Sequence, residues 1–291
     1  MENILKGTGP ALVTPFKKDL SVDYDALEKV LEYVIQGGVD FLVALGTTAE
    51  TATLSHEERH EVYRYIKKVN NKRLPLVVGF GGNNTAEIID HIKKADFEDV
   101  NAILSVVPYY NKPNQEGLYR HFMAIAEACP VPIILYNVPS RTGVNMTAET
   151  TLRLAKASDK FIGIKEASGD IEQVKTIIKN APKDFLVLSG EDGLINEIAS
   201  HGGHGVISVL ANAFPKRTVE LTNKSIEDAQ AAKSLQDDFA ELIKLLFIEG
   251  NPAGVKAALT QKGLIENVLR LPLCPVSDDT YQKISLVMDE Q

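Results

Sequence analysis

Short apolar runs, each ending in small or polar residues, recur along the chain. They are "PALVTPF" from Pro10, "FLVALGTT" from Phe41, "LPLVVGFG" from Leu74, "AILSVVPYY" from Ala102, "PIILYNVPS" from Pro132, "FIGIKEAS" from Phe161, "FLVLSGED" from Phe185 and "GVISVLAN" from Gly205. Their starts lie roughly 20 to 35 residues apart, the length of one strand–helix unit. The runs are near-continuous rather than alternating, as expected of strands buried on both faces of a parallel sheet.

Amphipathic segments lie between them. "DYDALEKVLEYVIQGG" carries Leu27, Val30, Leu31 and Val34 on one stripe and stops at Gly37-Gly38. "SHEERHEVYRYIKKV" opens on Ser55 with Glu58 three residues on, a capping box. "TAEIIDHIKKA", "QEGLYRHFMAIAEA" and "TAETTLRLAKAS" behave alike. Eight such units predict a (β/α)8 TIM barrel over residues 1–224. The other α/β solution, a doubly wound sheet, lacks the GxGxxG expected after its first strand. From residue 225 the pattern turns helical. One long helix over "SIEDAQAAKSLQDDFAELIKLLFIEG", a second around residues 252–262 and a third from Ser277 form a C-terminal helical extension over 225–291. The connector "RLPLCP" between the last two is not helical.

Composition narrows the class. The 291 residues are 44% hydrophobic and 24% charged, which suits a globular enzyme. The net charge of −8, with no Lys/Arg run, argues against nucleic acid. No run reaches the roughly 18 apolar residues of a membrane span. The start "MENILKGTGPALVTPF" lacks the charge and apolar pattern of a secretion signal, so the expected location is the cytoplasm. Cys129 and Cys274 are far apart and read as reduced thiols.

In such barrels the chemistry sits where strands end. Strand 2 ends in Thr47 and Thr48, strand 4 in Tyr109 and Tyr110, and strand 5 in Tyr136 and Asn137 with Arg141 beyond. Strand 6 ends in Lys165, strand 7 in Ser189 and Gly190, and strand 8 carries Ile207 and Ser208. Lys165 reads two ways. It pairs with a carboxylate such as Glu166, or its amine is a nucleophile for a carbonyl substrate, helped by desolvation and a nearby phenol. The tyrosines read as aromatic packing or as half-exposed proton carriers. Arg141 reads as a loop ion pair or a fork for a substrate carboxylate, and Thr47 and Thr48 can form a carboxylate nest with the backbone after them. "HEERH" from His56 to His60 fits a zinc-protease pattern. Both histidines, however, fall roughly 120° to 160° from the apolar stripe of Val62, Ile66 and Val69. "HGGHG" from His201 reads as a glycine-rich turn, and no metal is expected at either place.

"GTTAETATLSHEER", "VPYYNKPNQEGLYRHF", "ILYNVPSRTG", "GIKEASGD" and "GGHGVISVLAN" together resemble the 4-hydroxy-tetrahydrodipicolinate (dihydrodipicolinate) synthase family. It belongs to the pyruvate-dependent class I aldolases, which include N-acetylneuraminate lyase. The resemblance runs over essentially the whole chain. It implies a Schiff-base-forming lyase that condenses pyruvate with L-aspartate 4-semialdehyde on the diaminopimelate route to lysine. Lys165 would form the imine and Tyr136 would shuttle its protons. Thr47, with Tyr110 from a neighbouring subunit, would complete the relay. Thr48 would hold the pyruvate carboxylate beside Gly190 and Ile207, and Arg141 the carboxylate of the second substrate. The resemblance implies a homotetramer built from dimers and no cofactor. It also implies an L-lysine effector site of Thr51, Ala52, His56, Asn83, Glu87 and Tyr109, although Arg59 stands where lysine-sensitive bacterial relatives have histidine. N-acetylneuraminate lyase, the alternative, typically lacks an arginine at position 141. A second departure is Ala49, where the family usually has glycine. Its methyl group disfavours positive φ and is expected to shift the loop.

Overall fold

The structure, a computed structural model, describes residues 4–289. Among these, eight strands run parallel: β1 (Gly7–Pro10), β2 (Leu42–Ala44), β3 (Leu76–Gly79), β4 (Ala102–Val106), β5 (Ile133–Asn137), β6 (Phe161–Glu166), β7 (Leu186–Ser189) and β8 (Gly205–Ser208). Each pairs with the next in sequence from β2 to β8, and β8 returns to β1. A single parallel bridge, Ala11 to Val43, closes the ring between β1 and β2. The TIM barrel expected from the pattern is present.

One strand is misplaced by the hydrophobic pattern. β1 lies at "GTGP", ahead of most of the apolar run from Pro10. Bulk is excluded there: a Cβ on Gly9 would lie 2.1 Å from the Phe41 ring, and one on Gly205 would lie 2.0 Å from the Gly7 carbonyl oxygen. The strand is made of small residues so that Phe41 can fill the barrel, and it therefore shows no apolar signature. Leu12 and Phe16, in the apolar run, are buried after the strand has ended.

The barrel interior is filled by Phe41, Val43, Val77, Leu104, Ile134, Leu188 and their neighbours. Outside it, the helix Tyr24–Gln36 turns Leu27, Val30, Leu31 and Val34 inward. The helix His56–Asn70 starts with the expected capping box between Ser55 and Glu58, leaving His56 and His60 on the exposed side. The last barrel helix, Pro215–Glu227, runs past residue 224. Asp228 then leaves helical geometry (φ −152°, ψ 89°) and caps the amides of Gln230 and Ala231. The predicted long helix is therefore broken: its first three residues end Pro215–Glu227, Ala229–Asp238 starts afresh after Asp228, and a second break at Phe239 precedes Ala240–Phe247. Ala253–Gln261 and Asp278–Asp289 follow, and the segment between them is not helical, as expected. One apolar cluster joins Val13, Val30 and Val206 of the barrel to Leu242, Val255 and Ile284 of these helices. No helix among the described residues is long and apolar enough to cross a membrane. Cys129 is buried and Cys274 exposed, both as free thiols.

His121, on the helix Gln115–Ala128, is buried and its Nδ1 lies 2.8 Å from the Thr85 hydroxyl. Burial lowers its pKa from 6.5 to about 4. The folded pKa is depressed below the unfolded one, so the unfolded chain takes up the proton first as pH falls. Stability is then lost between pH 6.5 and 4, by up to about 3 kcal/mol. Urea unfolding across that range should show this slope, and His121→Gln should flatten it.

Candidate active site

Strand register sets the site. Tyr136 on β5 pairs with Lys165 on β6, which pairs with Leu188 on β7. Successive side chains point to opposite faces of a strand. Lys165 thus enters the barrel, while Glu166 points outward. There Glu166 accepts hydrogen bonds from the Ser168 amide at 2.8 Å, Gln173 Nε2 at 3.1 Å and Asn137 Nδ2 at 3.1 Å. Burial pushes its carboxyl above the usual range, against these bonds. The expected alternative, a Lys165–Glu166 pair, does not occur.

Lys165 is only 5% exposed, and among the described residues no ion pair ends on it. Its Nζ lies 4.4 Å from the centre of the Tyr136 ring. Gly190 makes room for it: a Cβ there would stand 3.1 Å from Lys165 Cε and 2.6 Å from Ala167 Cβ. Ile207 is fully buried on β8. Asp192, a residue the sequence reading passed over, is also buried. It accepts from the Ser208 hydroxyl at 2.5 Å and from the amides of Val209 and Leu210 at 3.1 and 2.9 Å. Burial raises its pKa, while these bonds and the charge of Lys165 pull it down. "SGED" after strand 7 was the available signal.

The loop after β2 is braced from far along the chain. Thr48 is buried, and its hydroxyl accepts from Asn251 Nδ2 at 2.9 Å. Glu50 takes the left-handed conformation at φ 53°. Its carboxylate forms an ion pair with Lys256 on the helix Ala253–Gln261, and both side chains are fully buried. It also accepts the Arg270 amide at 3.1 Å. Burial lowers the Lys256 pKa to about 8, outweighing the pull of Glu50. Arg270 reaches Glu58 Oε2 with Nη1 at 2.7 Å. Ala49 does not shift the loop through positive φ. It sits inside a 3-10 turn, Thr47–Ala49, and the left-handed position falls on Glu50 instead.

A cavity of about 470 Å³ opens above this layer. Thr47, Tyr136, Arg141, Thr51, Ala52, His56, Arg59 and Tyr109 line it, as does His91, which the sequence reading did not select. Lys165, Thr48, Gly190 and Ile207 are not among its walls. Arg141 is exposed at the end of a short helix, Pro139–Thr142. Asn83 Nδ2 donates to the Tyr109 carbonyl at 3.3 Å. Glu87 lies close to His56 and His91. The His56 ring packs edge-on against that of His91, at 4.5 Å between centres. Burial, the largest cause, lowers the His91 pKa. Arg59 Nε donates to the Thr51 carbonyl at 3.1 Å, which ties its charge to the loop. Tyr110 is 89% exposed at φ 70° and does not line its own cavity. At "HGGHG", His204 Nδ1 accepts the Val187 amide at 3.1 Å, within a turn that has Gly202 at φ 96°.

A lysine beside a phenol on adjoining strand ends of a closed α/β barrel is the arrangement that a Schiff-base-forming lyase requires. Residues 4–291 match the profile of the Dihydrodipicolinate synthetase family. A 4-hydroxy-tetrahydrodipicolinate synthase of Azobacteroides pseudotrichonymphae is 54% identical over 97% of this chain and 95% of its own length. Among solved structures, the chloride-inhibited dihydrodipicolinate synthase of Acinetobacter baumannii, complexed with pyruvate, is 43% identical. It superposes with a TM-score of 0.95 over 98% of both chains. The enzyme of Cyanidioschyzon merolae with lysine bound is 35% identical, with a TM-score of 0.95 over 99% of this chain and 98% of that one. The chain belongs to the dihydrodipicolinate synthetase family.

Proposed function

We propose that the chain condenses pyruvate with L-aspartate 4-semialdehyde to 4-hydroxy-tetrahydrodipicolinate, through an imine on Lys165. The relatives support this activity over that of N-acetylneuraminate lyase. The observation that carries the residue assignment is the Lys165 ammonium 4.4 Å from the Tyr136 ring, behind the cavity that Tyr136 and Arg141 line. The amine attacks the pyruvate ketone and water leaves. Tyr136 moves the protons, with Thr47 and a neighbouring subunit's copy of Tyr110 completing the relay. The hydroxyl of Thr48 accepts from Asn251 and so keeps its own proton free for the pyruvate carboxylate, beside Gly190 and Ile207. Loss of a proton from the imine gives the enamine. Its carbon attacks the aldehyde, whose carboxylate Arg141 holds. The amino group of the second substrate then closes the ring on the imine carbon and releases Lys165. Borohydride added with pyruvate should fix a reduced three-carbon unit on Lys165. Mass spectrometry finding it on another residue would remove the assignment.

Arg141→Ala should raise the KM for aspartate semialdehyde by about tenfold or more, for a lost charge-assisted bond, and leave pyruvate trapping at Lys165 intact. Equal loss of both would make Arg141 a loop support.

Further parts of this reading are a homotetramer, a cytoplasmic location on the route to lysine, and feedback by L-lysine at Thr51, Ala52, His56, Asn83, Glu87 and Tyr109. Residues 225–291 would act as a brace for the loop after β2. The lysine-bound relative supports the effector. Titration with L-lysine should inhibit, and Glu87→Ala should abolish the inhibition. No inhibition up to tens of millimolar would end that part.

A further inference from the structure

We propose that His56, Glu87 and His91 form a binding site for a first-row divalent cation of the zinc type. One ligand atom from each, two imidazole nitrogens and a carboxylate oxygen, lie within 4.8 Å of one another. Glu87 and His91 stand one turn apart on the helix Thr85–Lys94 and so share a face. His56 opens the neighbouring helix, and its ring meets that of His91 edge-on at 4.5 Å, with 61° between planes. Two imidazoles and one carboxylate are a borderline donor set that suits zinc, and they leave a fourth position open. Tetrahedral bonds of about 2.0–2.1 Å put neighbouring donors about 3.4 Å apart, so no pair in the set need draw in by more than roughly 1.4 Å. His56 and Glu87 are exposed, and side-chain rotation alone can supply this. Arg59, whose charge is felt at His91, has its Nε held by the Thr51 carbonyl at 3.1 Å.

This is not the zinc-protease arrangement that "HEERH" suggests. His56 meets a histidine of the next helix instead of His60. The site supplies no group to the Lys165 chemistry and stands independently of the proposed imine; it shares His56 and Glu87 with the proposed effector site, so a bound cation and L-lysine would compete there.

The test is titration of the full-length protein with ZnCl2 against a chromophoric chelator, and with CoCl2 by visible absorption. A Cys274→Ser background removes the exposed thiol as a ligand. One ion per chain should bind, with intense tetrahedral cobalt bands. Losing an outer-shell partner costs about 10–100-fold in metal affinity, so His91→Ala, which removes a ligand, should cost about 100-fold or more. Glu87→Gln should weaken binding while keeping the side chain's shape. His91→Ala should still trap pyruvate at Lys165, which reports an intact fold. Failure to saturate at one ion per chain, or an affinity unchanged within threefold in His91→Ala, would overturn the proposal.

Discussion

Lys165→Arg is expected to abolish borohydride trapping of pyruvate and to lower turnover by about 10³ or more, as loss of a nucleophile does. The substitution separates two roles. Arginine keeps the positive charge over the Tyr136 ring and opposite Asp192. It cannot be deprotonated in a protein and so offers no amine for an imine. If Lys165 served only as a charge inside the barrel, Arg would preserve much of the activity. The space is tight, since a Cβ on Gly190 would already crowd Lys165 Cε at 3.1 Å. The variant should therefore be shown folded by its urea midpoint. A folded variant that retains a tenth of wild-type turnover would show that the amine is not the reagent.

Lys256→Met is expected to cost about 3–5 kcal/mol of stability, the range for removing one partner of a buried ion pair. The cost arises on the other side of the pair. Glu50 is fully buried and would keep only the Arg270 amide bond and the more distant pull of the Arg270 guanidinium for its charge. It would have to take up a proton or draw in water, and in either case the loop carrying Thr47 and Thr48 loses its anchor. Turnover should fall along with stability. Lys256→Met with Glu50→Gln removes both charges and should recover a large part of the loss, because well-packed neutral replacements of buried pairs are often tolerated. Urea denaturation of the single and double variants measures the coupling. Additive losses would show that the two side chains do not act as a pair.

Much of the barrel was legible because seven of its strands are apolar runs of β-forming residues, and strand ends mark where chemistry gathers. Lys165 stood out because an ammonium closes such a run. β1 was shifted because its residues are chosen for their smallness against Phe41. The break at Asp228 was missed because apolar periodicity carries on through it, while the cap depends on one aspartate side chain. The brace at Asn251, Lys256 and Arg270 had no local signal at all. Each is an ordinary polar residue in sequence, and its meaning comes from a partner about 200 positions earlier. His91 was missed for the same reason, since its neighbour His56 sits on a different helix. Ala49 was expected to disturb the loop. The strained geometry instead falls one residue later, on Glu50.

The bonds from Asn251 to Thr48, from Lys256 to Glu50 and from Arg270 to Glu58 also set an order of events during synthesis. All eight strands have been made by residue 208, so the barrel can close while the rest of the chain is still being added. Glu50 then has neither Lys256 nor the Arg270 amide, and the Thr48 hydroxyl has no Asn251 to donate to it. A ribosome stalled at residue 248 would hold a barrel that contains Lys165 and Tyr136 but binds pyruvate poorly. A segment translated about 200 residues later thus completes the loop after β2, and a nascent chain remains inert until that segment has been added.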